Sequence, residues 1–211
     1  EQLKELVDLA KRNKSIIIFD AAYAEYIEED YPKTIYEIEG SKEVAIEINS
    51  FSKTLGFTGV RLGWTVVPKE LKYDDNYLIW NDWNRMMTTI FNGASNIVQE
   101  ATLKALDTKG IEEMKQTVNF YKENALIIRN ALEELRIECY GGINSPYIWA
   151  RFHKKSWDVF NELLENCHII ITPGSGFGSS GESFVRFSAY GHRENILEAV
   201  KRLKNYIIFQ K

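Results

Sequence analysis

The sequence has few cysteines, no strong charge of one sign and no long apolar run. Its two cysteines, Cys139 and Cys167, show no regular spacing among the 211 residues, so neither a disulfide framework nor a metal knuckle is indicated. The formal net charge is only −4, from 26 basic and 30 acidic residues, which lacks the basic field that a nucleic-acid binder needs. No apolar run approaches the roughly 20 residues that cross a bilayer. We therefore expect neither nucleic acid nor membrane as a partner, and small-molecule chemistry instead.

Two further signals are weak or missing. The three histidines, His153, His168 and His192, are scattered without ligand spacing, which argues against metal catalysis. The chain opens at Glu1 with a charged amphipathic helix, EQLKELVDLAKR, rather than with a signal peptide. We expect a reducing, cytoplasmic compartment, and we interpret the sequence as part of a longer protein.

The first half of the chain has the pattern of an α/β domain. Residues 15–20, SIIIFD, form an unbroken apolar run that is typical of a buried parallel strand and ends in an acid. Residues 44–48 and 63–67 predict two further strands. Residues 1–111 are thus expected to be part of a large α/β domain.

The second half predicts a smaller α+β domain, residues 112–211. A long amphipathic helix over residues 110–135 carries the chain into it. The strands are expected near residues 135–140, 147–152 and 184–188, and the helices near residues 156–165 and 193–206. PGSGFG, residues 173–178, lacks the spacing and the lysine of a phosphate loop, so we interpret it as a flexible turn that lines a substrate entrance.

The densest chemical signal is SFSKTLGFTGVRLGW, residues 50–64. Ser50 and Ser52 supply hydroxyls, Arg61 supplies a fork that can bind two phosphate oxygens, and the glycines let the backbone come close to a ligand. Lys53 lies among these groups, where neighbouring cations and desolvation would favour the neutral amine that condenses with an aldehyde. An isolated SxSK is more often a solvated loop, and it is the whole string that favours an anion site.

Asp20 and Tyr23 add to this pattern. Asp20 ends a strand at the edge where open α/β sheets bind their ligands, and a buried carboxylate there needs a partner. Tyr23 follows three residues later. Alone, such an Asp is more often a turn or capping residue and such a Tyr a packing residue, so their value depends on Lys53.

These segments together resemble a known family. FDAAYAEY, SFSKTLGFTGVRLGW, FNGASN, YGGINSPYIW, TPGSGFG and FVRFSAYGHRENI resemble the fold-type I, class I/II aminotransferases, which depend on pyridoxal 5'-phosphate (PLP). The likeness runs through the whole chain and covers about the C-terminal half of the family's length. FNGASN and GHRENI resemble the branch of the family that acts on diaminopimelate.

The resemblance implies roles for individual residues. Lys53 would be the Schiff-base lysine, Asp20 would pair with the pyridine nitrogen, and Tyr23 would bind the phenolic oxygen; these three would be the catalytic residues. Arg186 would bind the substrate α-carboxylate, a role that also has a local reason, because an unpaired charge in the apolar FVRF strand is costly. The alternative for Arg186 is an internal salt bridge. The cofactor-binding set would be Asp20, Tyr23, Ser50, Phe51, Ser52, Lys53, Arg61 and Asn92, with Asn92 reaching a neighbouring subunit's site and also contacting substrate.

The implied fold is the large-domain portion of a PLP-dependent transferase with a C-terminal α+β small domain. The implied reaction moves an amino group between LL-2,6-diaminopimelate and 2-oxoglutarate in lysine biosynthesis, in a homodimer whose partners are amino acids and 2-oxo acids. Lys53 would act as general base in a ping-pong transamination. Another fold-type I aminotransferase, a PLP lyase and a non-catalytic fragment stay open as alternatives.

Overall fold

The computed structural model describes residues 1–28, 30–73 and 77–209. It divides into two compact units, Glu1–Thr117 and Val118–Lys211. The division lies inside one long helix, whereas the sequence predicts a domain boundary after residue 111, which stays a prediction. The last two residues of the predicted second domain, 210 and 211, lie outside the described residues.

The first unit contains a three-stranded sheet and several helices. A short π-helix, Met87–Phe91, follows the third helix directly. The helices and strands are α1 (Gln2–Asn13), β1 (Ile17–Asp20), β2 (Ala45–Ser50), α2 (Phe51–Thr54), β3 (Gly63–Val66), α3 (Ile79–Met86) and α4 (Asn96–Ala105), followed by α5 (Thr108–Glu134), which continues into the second unit.

Helix α1 confirms the amphipathic pattern at the start of the chain and ends at Asn13, with Lys14 as its capping residue. Val7 and Ala10 are its buried residues. Lys14 takes a left-handed conformation with φ 52°, and the N–H of Ser15 donates to the carbonyl of Ala10 at 2.9 Å, which satisfies a carbonyl that the helix end leaves unpaired.

Strands β1 and β2 pair in parallel, and β3 pairs antiparallel with β2. The parallel arrangement of β1 is confirmed, but its predicted burial is wrong. Ile18 is 68% exposed, because β1 lies at the edge of the described sheet and turns only Ile17 and Phe19 toward a core cluster. The members of that cluster are Val7, Ala10, Ile35, Val44 and Ala45.

A buried carboxylate fastens the loop before β2 to the sheet. Glu47 in β2 accepts hydrogen bonds from the hydroxyl of Thr34 (2.5 Å), the N–H of Ile35 (3.0 Å) and the side-chain amide of Asn49 (2.8 Å). The hydroxyl of Tyr36 bridges the carbonyls of Ala45 and Val66 nearby, and burial raises the pKa of this tyrosine to about 12. Because each of these polar groups has a partner, the loop is held without an unpaired charge.

The second unit is an antiparallel sheet packed with helices, as expected of an α+β domain. The strand order is β4-β5-β7-β6. Its elements after α5 are β4 (Cys139–Gly141), β5 (Tyr147–Arg151), α6 (Ser156–Cys167), β6 (Thr172–Pro173), β7 (Phe184–Ser188) and α7 (Arg193–Phe209). The predictions for α5, β5, α6, β7 and α7 are confirmed.

The strand predicted near residues 135–140 is wrong over most of its length. Helix α5 runs to Glu134, and Arg136 takes a left-handed conformation with φ 60°. The N–H of Ile137 then donates to the carbonyl of Leu132 at 2.9 Å. This helix-ending turn uses the apolar residues that the pattern assigns to a strand, and β4 begins only at Cys139.

PGSGFG folds into a compact turn, and its predicted flexibility and place at a substrate entrance stay predictions. After β6, two short 3₁₀ helices, Gly174–Phe177 and Ser179–Gly181, fold the segment back on itself. A Cβ built on Gly174 would lie 2.1 Å from the carbonyl oxygen of Gly181 and 2.4 Å from that of Phe184. Only a glycine permits this approach of backbone to backbone.

We expect Gly174→Ala to destabilise the second unit by about 1 to 3 kcal/mol, the cost of forcing extra volume into a packed site. Gly176→Ala is the matched control, because nothing lies within 4 Å of its built Cβ. Urea unfolding followed by tryptophan fluorescence measures both free energies. Equal stability of the two variants would contradict this account of the segment.

Candidate active site

The carboxyl ends of β1 and β2 meet at one edge of the first unit's sheet. Asp20 is the last residue of β1 and lies beside Ile48 of β2, while Ser50 is the last residue of β2. The N–H of Ala21 donates to the carbonyl of Ile48 at 2.8 Å, which extends the pairing beyond Asp20. Parallel pairing therefore brings Asp20 and the SFSK turn to the same edge, where open α/β sheets bind ligands.

Asp20 is exposed in the described chain, which corrects the expectation of a buried carboxylate. Its Oδ1 accepts a hydrogen bond from the N–H of Ala22 at 3.0 Å, the turn geometry named above as the alternative. Tyr23 is half-buried in the same turn, with its ring edge-on to the fully buried Tyr26 at 6.1 Å between centroids. The turn thus holds both side chains at the end of β1.

Lys53 lies in α2, a single helical turn that starts directly after β2. Ser50 caps this turn, and its Oγ accepts from the N–H of Ser52 at 3.1 Å. The hydroxyl of Thr54 donates to the carbonyl of Ser50 at 3.2 Å. Lys53 is half-buried, and the two bonds at Ser50 fix the backbone that carries it.

The segment from Ser52 to Arg61 folds into a closed loop through Thr58, which the sequence reasoning missed. The hydroxyl of Thr58 donates to the carbonyl of Ser52 at 3.0 Å, and the carbonyl of Thr58 accepts from Nη1 of Arg61 at 2.9 Å. Nη1 also lies 3.5 Å from the hydroxyl of Ser52. The position of Thr58 between Ser52 and Arg61 was the sequence signal for this loop, because a hydroxyl side chain can hydrogen-bond to a nearby backbone carbonyl.

Arg61 keeps most of its donors for a ligand. It is exposed, it has φ 66°, and none of the ion pairs found within residues 1–28, 30–73 and 77–209 includes it. A guanidinium beside a serine hydroxyl, with no carboxylate to neutralise it, is a donor set that suits a phosphate group.

Two other predicted ligands have different surroundings. Phe51 packs its ring against Trp64 at 4.5 Å between centroids. Asn92 ends the π-helix in a left-handed conformation with φ 62° and is exposed, and its side chain makes no hydrogen bond to another described residue.

Arg186 in the second unit lies in an aromatic cage. Its guanidinium carbon is 4.3 Å from the ring centre of Tyr147 and 4.9 Å from that of Phe177. Its Nε is buried without a hydrogen-bond partner, and no ion pair in the described part of the chain includes it. The salt bridge weighed as an alternative is therefore not found there. A planar cation held between two rings with an unpaired donor suits a carboxylate.

Other chemistry has less support. No group of three or more His, Cys, Asp and Glu residues that could hold a metal ion occurs in the described ranges. Cys139 and Cys167 are not joined, and burial raises the pKa of both thiols. No described helix is long and apolar enough to span a membrane.

Comparison with known proteins identifies relatives over nearly the whole chain. The family model for aminotransferase class I and II matches residues 1–203. The chloroplastic LL-diaminopimelate aminotransferase of Arabidopsis thaliana is 55% identical over 97% of this chain and 44% of its own length, and the LL-diaminopimelate aminotransferase of Protochlamydia amoebophila is 50% identical over 99% and 51%. The chain thus spans about half the length of these relatives.

Solved structures give the same result. The L,L-diaminopimelate aminotransferase of Chlamydomonas reinhardtii is 59% identical and superimposes with a TM-score of 0.93 over 98% of this chain and 51% of its own. An aromatic aminotransferase of Pyrococcus horikoshii is 25% identical, with a TM-score of 0.85 over 99% of this chain and 55% of its own. These likenesses confirm the predicted mixed α/β fold of the fold-type I PLP-dependent transferases and the predicted family resemblance.

Proposed function

We propose a function from the premise that the chain belongs to the class I and II aminotransferases. The natural protein that carries it moves an amino group between LL-2,6-diaminopimelate and 2-oxoglutarate, a reaction of lysine biosynthesis. The observation that carries the proposal is the Lys53 turn, which follows β2 at the sheet edge where β1 also ends and begins the loop that carries a phosphate-type donor set. Since the chain spans about half the length of its relatives, the activity of the whole protein is part of the proposal.

The substrate assignment draws support from relatives at 50% identity or more, which are named for LL-diaminopimelate in a plant and a bacterium. A different aminotransferase is the second candidate, because the Pyrococcus aromatic aminotransferase has the same fold. Amino acids and 2-oxo acids are the partners in either case.

The residues at the strand ends fit pyridoxal 5'-phosphate. Arg61 and the hydroxyls of Ser50 and Ser52 would hold the phosphate, because an arginine fork and neutral donors match its oxygens. Asp20 would face the ring nitrogen, and when bound the cofactor supplies a ring that accepts electrons from the substrate. The further ligands that we propose are Tyr23, Phe51 and Asn92.

Lys53 would hold the cofactor through its amine and then serve as the general base. The amine of a half-buried lysine, on a backbone fixed by the capped turn at Ser50, can take the α-proton of the substrate and return it one step later. Asp20 would place a carboxylate near the ring nitrogen of the cofactor, and Tyr23 would add a hydroxyl from the same turn.

Arg186 would bind the α-carboxylate. A buried Nε without a partner costs free energy, and a carboxylate that pairs bidentately with the guanidinium removes that cost. The rings of Tyr147 and Phe177 restrict the orientation of the planar guanidinium, which favours the two-oxygen geometry.

A homodimer is also part of the proposal. Ile90 and Phe91 are 77% and 56% exposed immediately before Asn92, and Ile97 and Leu103 are exposed beyond it. An apolar patch of this kind marks an interaction surface, and a second copy seated there would receive Asn92.

The compartment that we propose is a reducing one such as the cytoplasm, supported by two unjoined cysteines; the plant relatives are named chloroplastic.

A PLP lyase and a non-catalytic fragment are separated from this proposal by experiment. Borohydride reduction of the protein with its cofactor should attach a pyridoxyl group permanently to the peptide that contains Lys53. Mass spectrometry that located no such adduct would favour a non-catalytic chain. Release of an oxo acid without stoichiometric glutamate formation would favour a lyase.

We expect Lys53→Ala to lower the transamination rate by several powers of ten, because the general base and the covalent link are lost together. Stopped-flow measurement of the half-reaction with LL-diaminopimelate gives this rate. Lys42→Ala, at an exposed position outside the strand ends, is the control and should keep the parent rate. Near-normal turnover by Lys53→Ala without added amines would refute the assignment.

Substituting each arginine by lysine should divide cofactor binding from substrate binding. Arg61→Lys should weaken PLP binding, and Arg186→Lys should raise the KM for amino acid and oxo acid. Each change should correspond to a loss of about 1 to 3 kcal/mol of binding free energy, because lysine keeps the charge but loses the fork. Equal effects of both variants on the dissociation constant of PLP would contradict the division of roles.

A further inference from the structure

Asn124 is a polar side chain at the centre of the second unit with every hydrogen-bonding group engaged. It lies in the middle of α5 with 0% of its surface exposed. Its amide nitrogen donates to the carbonyls of Ala189 (3.1 Å) and Gly191 (3.0 Å), and its oxygen accepts from Nε of Arg193 (2.5 Å). A neutral amide buried in a helix–sheet core is costly unless all its groups are paired, so this site is built for these three partners.

The three partners belong to the segment directly after β7, the strand that carries Arg186. Arg193 strengthens the attachment, because its Nη2 also binds the carboxylate of Glu123 at 2.6 Å and the carbonyl of Phe120 at 3.2 Å. The segment between Ala189 and Arg193 is thereby held against α5 from both ends. We call Asn124 and Arg193 the α5 latch.

The α5 latch encloses Tyr190, whose ring lies between two other tyrosines. Tyr190 is 4.8 Å from Tyr121 of α5 and 5.9 Å from Tyr147 of β5, edge-on to both. Tyr147 in turn lies under the guanidinium of Arg186 at 4.3 Å. Movement of Tyr190 would remove the support behind the ring on which Arg186 rests.

We propose that the α5 latch positions Arg186 for its carboxylate, acting through Tyr190 and Tyr147. The inference rests on the proposed function, in which Arg186 is the carboxylate ligand, and it makes Asn124, Arg193 and Tyr190 positioning residues. A long arginine side chain has several free torsions, and a bidentate bond to a carboxylate needs the guanidinium in one orientation. The α5 latch restricts this orientation by fixing the Tyr147 ring beneath the guanidinium of Arg186.

The experiment measures binding of glutarate, an unreactive dicarboxylate, to the natural protein with its cofactor by calorimetry. Asn124→Asp keeps an oxygen for Arg193 but turns a carboxylate oxygen toward the carbonyls of Ala189 and Gly191. We expect it to raise the Kd of glutarate by about tenfold, as for weakening of one charge-assisted hydrogen bond, and to leave the Kd of PLP unchanged. The KM for 2-oxoglutarate should rise with it, while kcat changes little.

Asn130→Asp is the matched control, the same substitution at an exposed position of the same helix, and should bind glutarate as the parent does. Tyr190→Leu covers the case in which Asn124→Asp does not fold, because it removes the ring and leaves the backbone partners of Asn124 in place. It should weaken glutarate binding by a similar factor. The double variant should be no worse than either single one, since both act on one contact.

Two results would overturn the inference alone, provided that Arg186→Lys weakens glutarate binding. One is unchanged glutarate binding by Tyr190→Leu, and the other is additive effects of the two substitutions in the double variant. Failure of Arg186→Lys to alter glutarate binding would instead overturn the proposed role of Arg186, and the inference with it. The PLP measurement separates both from a general loss of folding, which would weaken both ligands together.

Discussion

Parallel hydrogen bonding between β1 and β2, from Ile17 beside Ala45 to Asp20 beside Ile48, sets the positions of the residues that we propose to bind the cofactor. Asp20 and Lys53 are more than thirty positions apart in sequence, and only the pairing of these strands brings their turns to one edge. The buried Glu47 in β2 supports that pairing, because it fastens the preceding loop to the sheet. A shift of β2 by one residue would turn Glu47 to the other face and move the Lys53 turn with it.

The two arginines meet the cost of a cation in different ways. Arg61 stays exposed and gives one donor to the loop that carries it, so its charge is stabilised mainly by solvent. Arg186 is caged by rings and keeps an unpaired buried nitrogen, which a carboxylate oxygen could accept from. These two surroundings suit the roles that we propose, a bound phosphate at Arg61 and an exchanging substrate at Arg186, since a desolvated site discriminates more sharply between a matching and a non-matching group.

Local patterns in the sequence predicted the elements well, and the failures have physical reasons. The helices α1, α5, α6 and α7 and the strands at residues 147–151 and 184–188 follow from periodicity and are confirmed, whereas α2, α3 and α4 were not predicted. The strand expected near residue 135 failed because a helix-ending turn at Arg136 uses the same apolar residues. The burial expected of Asp20 failed because burial depends on what covers a sheet edge, which alternation of residues does not encode. Thr58 and Asn124 escaped notice because their importance lies in hydrogen bonds to the backbone, and a sequence pattern does not reveal which carbonyls fold back to meet them.

Asn124 also determines how the part of α5 that belongs to the second unit sits in that unit. A helix of 27 residues that packed through apolar side chains alone could rotate about its axis or slide by one turn and still bury a similar area. A rotation by one residue would remove the amide from Ala189, Gly191 and Arg193 and leave several buried groups unpaired, which costs more than the apolar contacts could return. One asparagine thus selects a single rotational phase and a single register for the longest helix in the described part of the chain, as a lone polar residue does at the seam of a coiled coil.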